Sequence, residues 1–398
     1  MTTPHATAAL LFDIDRPAYS VPSMGEIRAR DNGLTAVSTF SGCGGSSLGL
    51  HMAGWRIPYA NEFTPLGAET YRANFPETYV DQRDIRLVQP EEILDRIGMK
   101  PGELDLLEGS PPCSSFSTVG WRAGQFEDKR GKVKDYSEGI KQATDDLFEE
   151  WVRLVDGIRP KAILAENVPE MAKPGPAADY LFGIQRMLNG LGYDVHAGVY
   201  SSLKAGAATT RKRLIIMGLR RDVGITPRPV LRGSGYTMRE ALETMPIESP
   251  EDELLWVRMD GSGRHWRTGE PLPEYQIYKH WRDCIGVDLG RPKTHGEDVC
   301  CAPGGERASL FSLMRGSWDA PVDVFTAAGA GPGAANIKHP DEPRGFTATE
   351  AKWLSGFPID FKLEGPPPIR YERIGRAVTP PLYRDIGEHL ARAIKAGL

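Results

Sequence analysis

Val37-Ser-Thr-Phe-Ser-Gly-Cys-Gly-Gly-Ser46 is the stretch that decides the fold. It continues an apolar run, residues 34–40, that predicts a strand, and it leads into residues 46–53, which predict a helix. Glycines between the two allow a sharp turn and let a nucleotide cofactor approach the backbone closely. The GxGxxG spacing of dinucleotide-binding turns is not met, because position 47 is a serine, so a plain tight turn remains an alternative.

The same alternation of strand and helix continues along much of the chain. Short apolar runs that predict strands alternate with longer segments whose apolar residues recur at helical spacing. Predicted strands cover residues 34–40, 56–60, 104–107, 162–165 and 214–217, and predicted helices cover residues 46–53, 65–74, 140–158 and 382–396. This pattern predicts an α/β fold, a doubly wound and mostly parallel sheet with helices on both faces.

Two acidic residues beyond the first turn are further candidates for contacts with a nucleotide cofactor. Glu62 comes just after residues 56–60, where a carboxylate can hold the hydroxyls of a ribose. Asp84, followed by Ile85, is a further candidate, for the edge of an adenine. Acids at strand ends are common, so each of them alone is weak evidence for a cofactor site.

A cysteine and a glutamate end two further predicted strands. Cys113 lies in Gly109-Ser-Pro-Pro-Cys-Ser-Ser-Phe-Ser117, and the two prolines before it restrict the backbone. Glu166 likewise follows directly after a predicted strand, residues 162–165. Since the carboxyl ends of parallel strands share one edge of a sheet, we expect the two side chains there together. A thiolate beside a carboxyl that can be held protonated suits covalent catalysis, whereas a free cysteine is more often a buried structural residue.

Composition narrows the class of protein. The 398 residues are 40% hydrophobic, enough for a full core, and carry a net charge of −5, so disorder is excluded as the main state. No apolar run reaches about 18 residues, and residues 1–30 do not resemble a secretion signal. Five cysteines without a CxxC pair argue against a disulfide framework and a zinc knuckle, and no metal site is predicted. We expect a cytoplasmic protein without a membrane partner.

The motifs taken together resemble those of the C5-cytosine DNA methyltransferases. Those that occur in that family's order and at compatible spacings are Phe40-Ser-Gly-Cys-Gly-Gly45, Asn61-Glu62, Asp84-Ile85, Pro111-Pro-Cys113, Glu166-Asn-Val168 and Arg211-Lys-Arg213. The segments that resemble the family's late motifs are residues 339–347, Gly356-Phe-Pro358 and Ile374-Gly-Arg-Ala-Val378. No single motif is specific, but the series is, and it covers residues 34–396.

The resemblance implies a class I methyltransferase fold that binds S-adenosylmethionine. The cofactor-binding residues it implies are Phe40, Gly42, Gly44, Glu62, Asp84, Ile85, Pro112, Leu147, Arg376, Ala377 and Val378. Cys113 would add to C6 of a cytosine flipped out of duplex DNA, and Glu166 would stabilise or protonate N3. Arg213 would hold the O2 edge of the pyrimidine, and Arg211 would support the loop or a phosphate. Transfer of a one-carbon group to C5 would follow.

Arg376 departs from the family pattern, which usually has asparagine at this position. A cation near a sulfonium is unfavourable unless an anion lies between them. One hypothesis is that Arg376 pairs with an extra carboxylate on the cofactor, so that carboxy-S-adenosylmethionine is used and 5-carboxymethylcytosine is made. The alternative is that Arg376 turns outward, or pairs with a nearby acid such as Glu62 or with the cofactor's own carboxylate.

The domain organisation follows from the change in sequence character. We expect a flexible N-terminal segment at residues 1–32, a cofactor-binding catalytic domain at 33–242, a target-recognition domain at 243–340, and a C-terminal segment at 341–398 that returns to the catalytic domain. The target-recognition domain is irregular and rich in Gly, Trp, Arg and His, a mixture suited to phosphates and bases. Candidate DNA-binding residues are Ser117, Trp256, Arg264, His265, Arg267, Lys279 and Arg282.

Several functional classes stay open on the sequence alone. The expected substrate is double-stranded DNA. We expect a monomeric enzyme that acts in restriction–modification or phage defence. RNA is an alternative, although the variable region is larger than a small RNA-directed enzyme needs. A non-catalytic DNA-binding protein is a third, against which the intact Cys113, Glu166 and Arg213 argue. A dinucleotide oxidoreductase is excluded by the glycine spacing.

Overall fold

The computed structural model describes most of the chain. The described residues are 16–112, 133–135, 141–143, 146–231, 233–257, 314–327, 337–340 and 345–397. The chain divides into two units. The sheet unit consists of Met24–Ser201, Lys212–Leu231 and Pro380–Leu398, and the second unit consists of Met1–Ser23, Ser202–Arg211 and Arg232–Thr379.

A seven-stranded sheet lies at the centre of the sheet unit. The strands of this unit are β1 (Thr35–Thr39), β2 (Arg56–Asn61), β3 (Tyr79–Asp81), β4 (Leu106–Gly109), β5 (Val133–Asp135), β6 (Lys141–Ala143), β7 (Ala162–Asn167), β8 (Tyr193–Ser201) and β9 (Lys212–Arg220). The sheet has the order β3-β2-β1-β4-β7-β9-β8, while β5 and β6 pair separately. Its first five strands are parallel and β9 runs antiparallel to both β7 and β8. The predicted mostly parallel sheet is confirmed, although β3 and β8 were not predicted.

Helices cover both faces of the sheet. In the sheet unit they are α1 (Met24–Arg28), α2 (Gly45–Met52), α3 (Pro65–Asn74), α4 (Pro90–Ile97), α5 (Leu147–Ile158), α6 (Pro176–Gly190) and, after α7 to α10 of the second unit, α11 (Pro380–Gly397). Helices α4, α5 and α6 share a core with strand residues that include Val37 and Leu107. Side chains alternate along a strand, so Ser38 points to the opposite face, where it accepts a hydrogen bond from Ser47 of α2. Helix α11 packs against α2.

Local sequence explains where these helices begin and which side they bury. Pro65 opens α3 at a position where its missing N–H costs nothing. Helix α5 buries Leu147, Trp151 and Ile158 on one side, as the helical spacing of its apolar residues predicts. The prediction extended this helix back to residue 140 and was wrong for Lys141–Ala143, which form strand β6; residue 140 lies outside the described residues, and the observed helix begins at Leu147.

The strand order creates a crevice between β1 and β4. The chain passes from β1 to β2 and β3 on one side and then crosses to β4 on the other. In open α/β sheets, ligands bind beyond the carboxyl ends of the strands at such a reversal. The segments that leave β1 and β4 there are residues 40–44 and residues 110–112, the latter leading into Cys113.

The second unit holds shorter elements. They are α7 (Met238–Leu242), α8 (Glu251–Val257), β10 (Met314–Arg315), β11 (Ile337–Lys338), α9 (Ala348–Leu354) and α10 (Pro367–Arg376). Trp353 ties two of them together, because its indole N–H donates to the carbonyl of Ala241 at 2.6 Å. The hydroxyl of Tyr19 in turn donates to the carbonyl of Trp353, so the N-terminal stretch of this unit is held against α9.

Candidate active site

The loop after β1 has the backbone of a ligand-binding turn. Phe40, Gly42 and Gly44 all have positive φ, at 53°, 56° and 88°. A non-glycine residue in this region is strained, and such strain concentrates at functional sites. At Gly44 a Cβ would lie 2.7 Å from the Phe75 ring, whereas at Gly42 it would meet nothing within 4 Å. The loop is therefore closed against the protein at Gly44 and open at Gly42.

Glu62 lies directly against this loop. The N–H of Gly42 donates to Glu62 Oε2 at 2.7 Å, and the N–H and hydroxyl of Thr64 donate to Oε1. The side chain is buried, so its carboxylate is held in place by these donors. The structure thus brings together the glycine loop and the acid at the end of β2.

Three other predicted cofactor residues of the sheet unit belong to its hydrophobic core or pack against it. Ile85 and Leu147 are fully buried in the same core cluster, and Phe40 is half-buried and packs against that cluster. Asp84 begins the turn Ile85–Leu87, accepts the N–H of Arg86 at 3.0 Å and forms an ion pair with its guanidinium at 3.1 Å. Ile85 and Leu147 therefore contribute packing, whereas Phe40 is only partly covered.

Glu166 and Arg213 form an ion pair at the carboxyl edge of the sheet. Arg213 Nε lies 2.6 Å from Glu166 Oε1, and both side chains are largely buried. The two residues lie on the adjacent strands β7 and β9. A buried arginine beside a carboxylate fixes the orientation of the carboxylate, because the planar guanidinium accepts only a narrow range of geometries.

A hydrogen bond joins this edge to the segment that carries the cysteine. Asn167, the residue after Glu166, donates from Nδ2 to the carbonyl of Pro111 at 3.1 Å. Pro111 lies two residues before Cys113 in the sequence, and Pro112 is the last described residue of that segment. The shared edge that the sequence predicted for the ends of β4 and β7 is thus present up to residue 112.

Glu108 is a buried acid at this edge that the sequence analysis missed. It lies on β4, its side chain is fully buried, and Ser38 donates to its Oε2 at 2.6 Å. Burial raises the pKa of Glu108 to about 7, and the negative charge of Glu166 adds to the increase, while the hydroxyls of Ser38 and Ser46 oppose it. In the sequence Glu108 directly follows the predicted strand at residues 104–107, so it looked like the polar end of that strand.

Four predicted site residues belong to the second unit. Arg211 is buried and donates from Nη1 to the carbonyl of Phe325 at 3.2 Å. Arg376 ends α10 and forms an ion pair with Glu372 one turn earlier, with Nη2 and Oε1 2.6 Å apart. The N–H of Ala377 donates within the same helix end, and Val378 is buried. The Arg376–Glu372 pair favours the alternative in which a nearby acid neutralises this arginine, although the acid is not Glu62.

The remaining predicted site residues are the candidate nucleophile and the candidate DNA-binding residues. Those outside the described residues are Cys113, Ser117, Arg264, His265, Arg267, Lys279 and Arg282, and the side chain of Trp256 is likewise outside them. Across the described ranges, no cluster of three or more His, Cys, Asp or Glu residues could hold a metal ion. No helix in the same ranges is long and apolar enough to cross a membrane.

Comparison with known proteins identifies the family. Residues 34–254 and 289–392 match the family model described as C-5 cytosine-specific DNA methylase. The chain therefore belongs to this family of DNA cytosine methyltransferases, and the resemblance seen in the motif series is confirmed.

Relatives of known type cover nearly the whole chain. The type II methyltransferase M.NgoFVII of Neisseria gonorrhoeae is 28% identical over 367 residues, which are 89% of this chain and 85% of that protein. The type II methyltransferase M.Eco47II of Escherichia coli is 29% identical over 376 residues, 93% of this chain and 81% of that protein.

Solved structures agree on the fold. A prophage-encoded protein of E. coli superposes with a TM-score of 0.64 at 22% identity, covering 91% of this chain and all of that one. A DNMT2 mutant of Spodoptera frugiperda superposes with a TM-score of 0.59 at 16% identity, covering 90% and 99%. The predicted class I methyltransferase fold is confirmed.

Proposed function

We propose that this chain is a DNA (cytosine-5-)-methyltransferase that flips a target cytosine out of duplex DNA and methylates its C5 through a covalent adduct with Cys113. The observation that carries the proposal is the Asn167–Pro111 hydrogen bond. It fixes the segment leading to the cysteine beside the strand that presents Glu166 and its partner Arg213. A nucleophile and a proton-handling carboxyl on one rigid edge are what attack on a pyrimidine requires.

The chemistry assigns a distinct task to each residue. Cytosine C5 is a weak nucleophile, so Cys113 adds as a thiolate to C6 and makes C5 enamine-like. Glu166 stabilises or protonates N3, which offsets the negative charge that builds up during attack. Arg213 orients Glu166 and offers its remaining N–H groups to the O2 edge of the base. Once C5 carries the methyl group, a base removes the C5 proton, its electron pair forms the C5–C6 double bond again, and the C6–S bond breaks to release the Cys113 thiolate.

The residues around the β1 loop fit S-adenosylmethionine. Gly42 has a positive φ and open space above it, so a ligand can approach its backbone. The Glu62 carboxylate against this loop suits ribose hydroxyls, and the half-buried Phe40 offers an apolar surface to the adenosine. When bound, the cofactor supplies an electrophilic methyl group. Arg376 is paired with Glu372, so we propose methyl and not carboxymethyl transfer.

Duplex DNA is the proposed partner. The target atom of cytosine lies inside the base stack, so the base must leave the duplex to reach a cleft at the sheet edge. The basic and aromatic residues between positions 256 and 282 are suited to phosphates and bases, and Arg211 suits a phosphate or the support of a loop. We propose residues 243–340 as the target-recognition domain and 33–242 as the catalytic domain.

Trapping with 5-fluorocytosine tests this function. Fluorine at C5 cannot leave as the proton does, so methylated adduct accumulates on the enzyme. Purified protein is incubated with S-adenosylmethionine and long duplex DNA in which every cytosine is fluorinated, and it is examined on a denaturing gel. We expect a DNA-linked band with the wild type and none with Cys113→Ala. A band of equal strength with Cys113→Ala, or cofactor-dependent trapping on RNA but not on DNA, would contradict the proposal.

A further inference from the structure

Glu108 is a buried carboxyl group for which the reaction described above has no task. It stands on β4 in register with Ser38 of β1, and these are the two strands that flank the crevice. Its side chain is fully buried, and Cys113 follows it by five residues. An acid therefore lies directly behind the edge of the sheet at which we propose that the reaction takes place.

Hydroxyl groups connect Glu108 to the proposed cofactor loop. Ser38 donates to Glu108 Oε2 at 2.6 Å, and the Ser38 hydroxyl also lies 2.9 Å from the hydroxyl of Ser41 in that loop. Ser38 accepts in turn from Ser47 of α2 at 3.1 Å, and Tyr71 of α3 donates to Ser47 at 2.9 Å. A single hydroxyl group therefore links the carboxyl of Glu108 to the loop that we propose binds S-adenosylmethionine.

Within the described ranges, no positive charge balances Glu108. The titratable groups and hydroxyls that face it are Ser38 of β1, Ser46 and Ser47 of α2, Tyr71 of α3, Glu166 of β7 and Tyr383 of α11. Arg213 is bound to Glu166, and no lysine or arginine in this part of the chain forms an ion pair with Glu108. The second carboxyl oxygen of Glu108, Oε1, makes no hydrogen bond of normal geometry with any described residue. A buried carboxylate in such surroundings is costly, so a cation that enters the crevice would stabilise it.

The lack of a cation determines how Glu108 holds its proton. Burial raises the pKa of Glu108 to about 7, and the hydroxyls of Ser38 and Ser46 only partly oppose this increase. Tyr383 stays neutral, because burial raises its pKa far above the ordinary value. Near pH 7 the carboxyl is therefore protonated in about half of the molecules, and a change of charge nearby alters that fraction.

The strand order indicates where the charged sulfur of the cofactor has to react. Glu62, the acid suited to the ribose, follows β2, whereas Cys113 follows β4, and β1 lies between these two strands. A ligand held at the end of β2 must extend across the end of β1 to react with a base that is bound to Cys113. The sulfonium, which carries the transferable methyl group, then lies on the side of the crevice to which Glu108 belongs.

We propose that Glu108 selects the charged methyl donor over the neutral product, because its carboxylate is stabilised by the sulfonium of S-adenosylmethionine and not by the uncharged sulfur of S-adenosylhomocysteine. The inference rests on the proposed function and deepens it. The two ligands differ only in the methyl group and the positive charge on sulfur, and a nearby positive charge favours the ionised form of a carboxyl. Binding of S-adenosylmethionine therefore releases the proton of Glu108. Once the methyl group has been transferred, the carboxyl takes up a proton from water again, and the product is held less tightly.

Titration calorimetry without DNA tests this role. The dissociation constants of both ligands are measured at about pH 6 and pH 8 for the wild type, Glu108→Gln and the control Asp95→Asn, which removes an exposed acid on α4. The preference of the wild type for S-adenosylmethionine is divided by that of Glu108→Gln, which cancels the titration of the ligand's own amino group. We expect this quotient to rise about fivefold from pH 6 to pH 8, for a sulfonium that lowers the pKa of Glu108 by about one unit. The preference of Asp95→Asn follows the wild type.

Proton release on binding gives a second, direct readout. The heat of binding at about pH 7, measured in two buffers of different ionisation enthalpy, gives the number of protons released. With S-adenosylmethionine the wild type is expected to release about 0.4 proton more than Glu108→Gln, and with S-adenosylhomocysteine the two proteins are expected to agree.

Ser38→Ala guards against misfolding of Glu108→Gln. It keeps the carboxyl group but removes a donor that favours the ionised form, so it raises the pKa of Glu108 further. The preference of Ser38→Ala for S-adenosylmethionine is therefore expected to rise at a higher pH than that of the wild type. A preference that rises at the same pH in both proteins would contradict the role of Glu108.

Two further outcomes would overturn the inference. If the preference for S-adenosylmethionine changes with pH by the same factor in the wild type and Glu108→Gln, the charge of Glu108 does not act on the cofactor. If both proteins release the same number of protons, Glu108 does not change its protonation state on binding. If neither ligand binds to folded wild-type protein, the proposed function itself fails, and the two failures are thereby told apart.

Discussion

Relative to the wild type, Glu108→Gln is expected to have a higher free energy of unfolding at alkaline pH than at acid pH. The difference between the two proteins therefore grows as the pH rises. Burial raises the pKa of Glu108 from 4.5 to about 7, so the folded chain holds a proton that the unfolded chain releases between those values. Because the pKa of this acid is higher in the folded state, the free energy of unfolding of the wild type falls as the pH rises through this window. Glutamine has nearly the same shape as glutamate and can still accept the hydrogen bond from Ser38, but it cannot ionise.

The size of this effect follows from the shift. One pKa unit corresponds to about 1.4 kcal/mol, so between about pH 5 and pH 8 the wild type loses about 2–3 kcal/mol that the variant keeps. Urea denaturation at both pH values, followed by fluorescence of the buried Trp55 and Trp151, measures the free energy of unfolding for each protein. Taking the difference between proteins at each pH cancels every other titrating group. A difference that is the same at about pH 5 and pH 8 would refute the reasoning.

Three further changes have definite expected outcomes. Arg213→Ala breaks the ion pair with the active-site glutamate and should lower kcat by about 10²–10³-fold with a small change in DNA binding. A loss of DNA binding in a gel-shift assay without a loss of kcat would contradict the catalytic role of Arg213. Gly44→Ala forces a side chain onto a positive φ against an aromatic ring and should cost about 1–3 kcal/mol in thermal unfolding, while the control Gly183→Ala, in open space within helix α6, should stabilise the fold by about 0.5–1 kcal/mol. Arg376→Asn should give a product nucleoside of the same mass as the wild type. A carboxymethylated product that is lost only in this variant would support carboxy-S-adenosylmethionine as the cofactor instead.

The elements that the sequence predicted well are those whose signal is local. The glycines after β1 and the apolar spacing of α5 depend on turn chemistry and helix period, which a short window contains. The same holds for Glu166, because an acid that ends an apolar strand in an α/β pattern must lie at the ligand-binding edge. The Arg376–Glu372 pair was also within reach, since an i, i+4 spacing on a helix brings opposite charges together.

The features that the sequence did not predict depend on tertiary neighbours. Strand β8 is an edge strand in which most residues are half-buried, so its apolar alternation is weak, and no local signal indicates that β9 runs antiparallel. The hydrogen bond from Asn167 to Pro111 joins residues far apart in the chain. Glu108 looked like the polar end of a strand, and only the helices that cover this face make it a buried acid.

Mass spectrometry of nucleosides tests the central claim most directly. DNA and RNA are taken from bacteria that express either the wild-type chain or Cys113→Ala, digested to nucleosides and compared. The account predicts 5-methyl-2′-deoxycytidine in the DNA of cells with the wild type and none above background with Cys113→Ala. Unmodified DNA in cells that contain soluble, folded wild-type protein, or a modified cytosine found only in RNA, would contradict it.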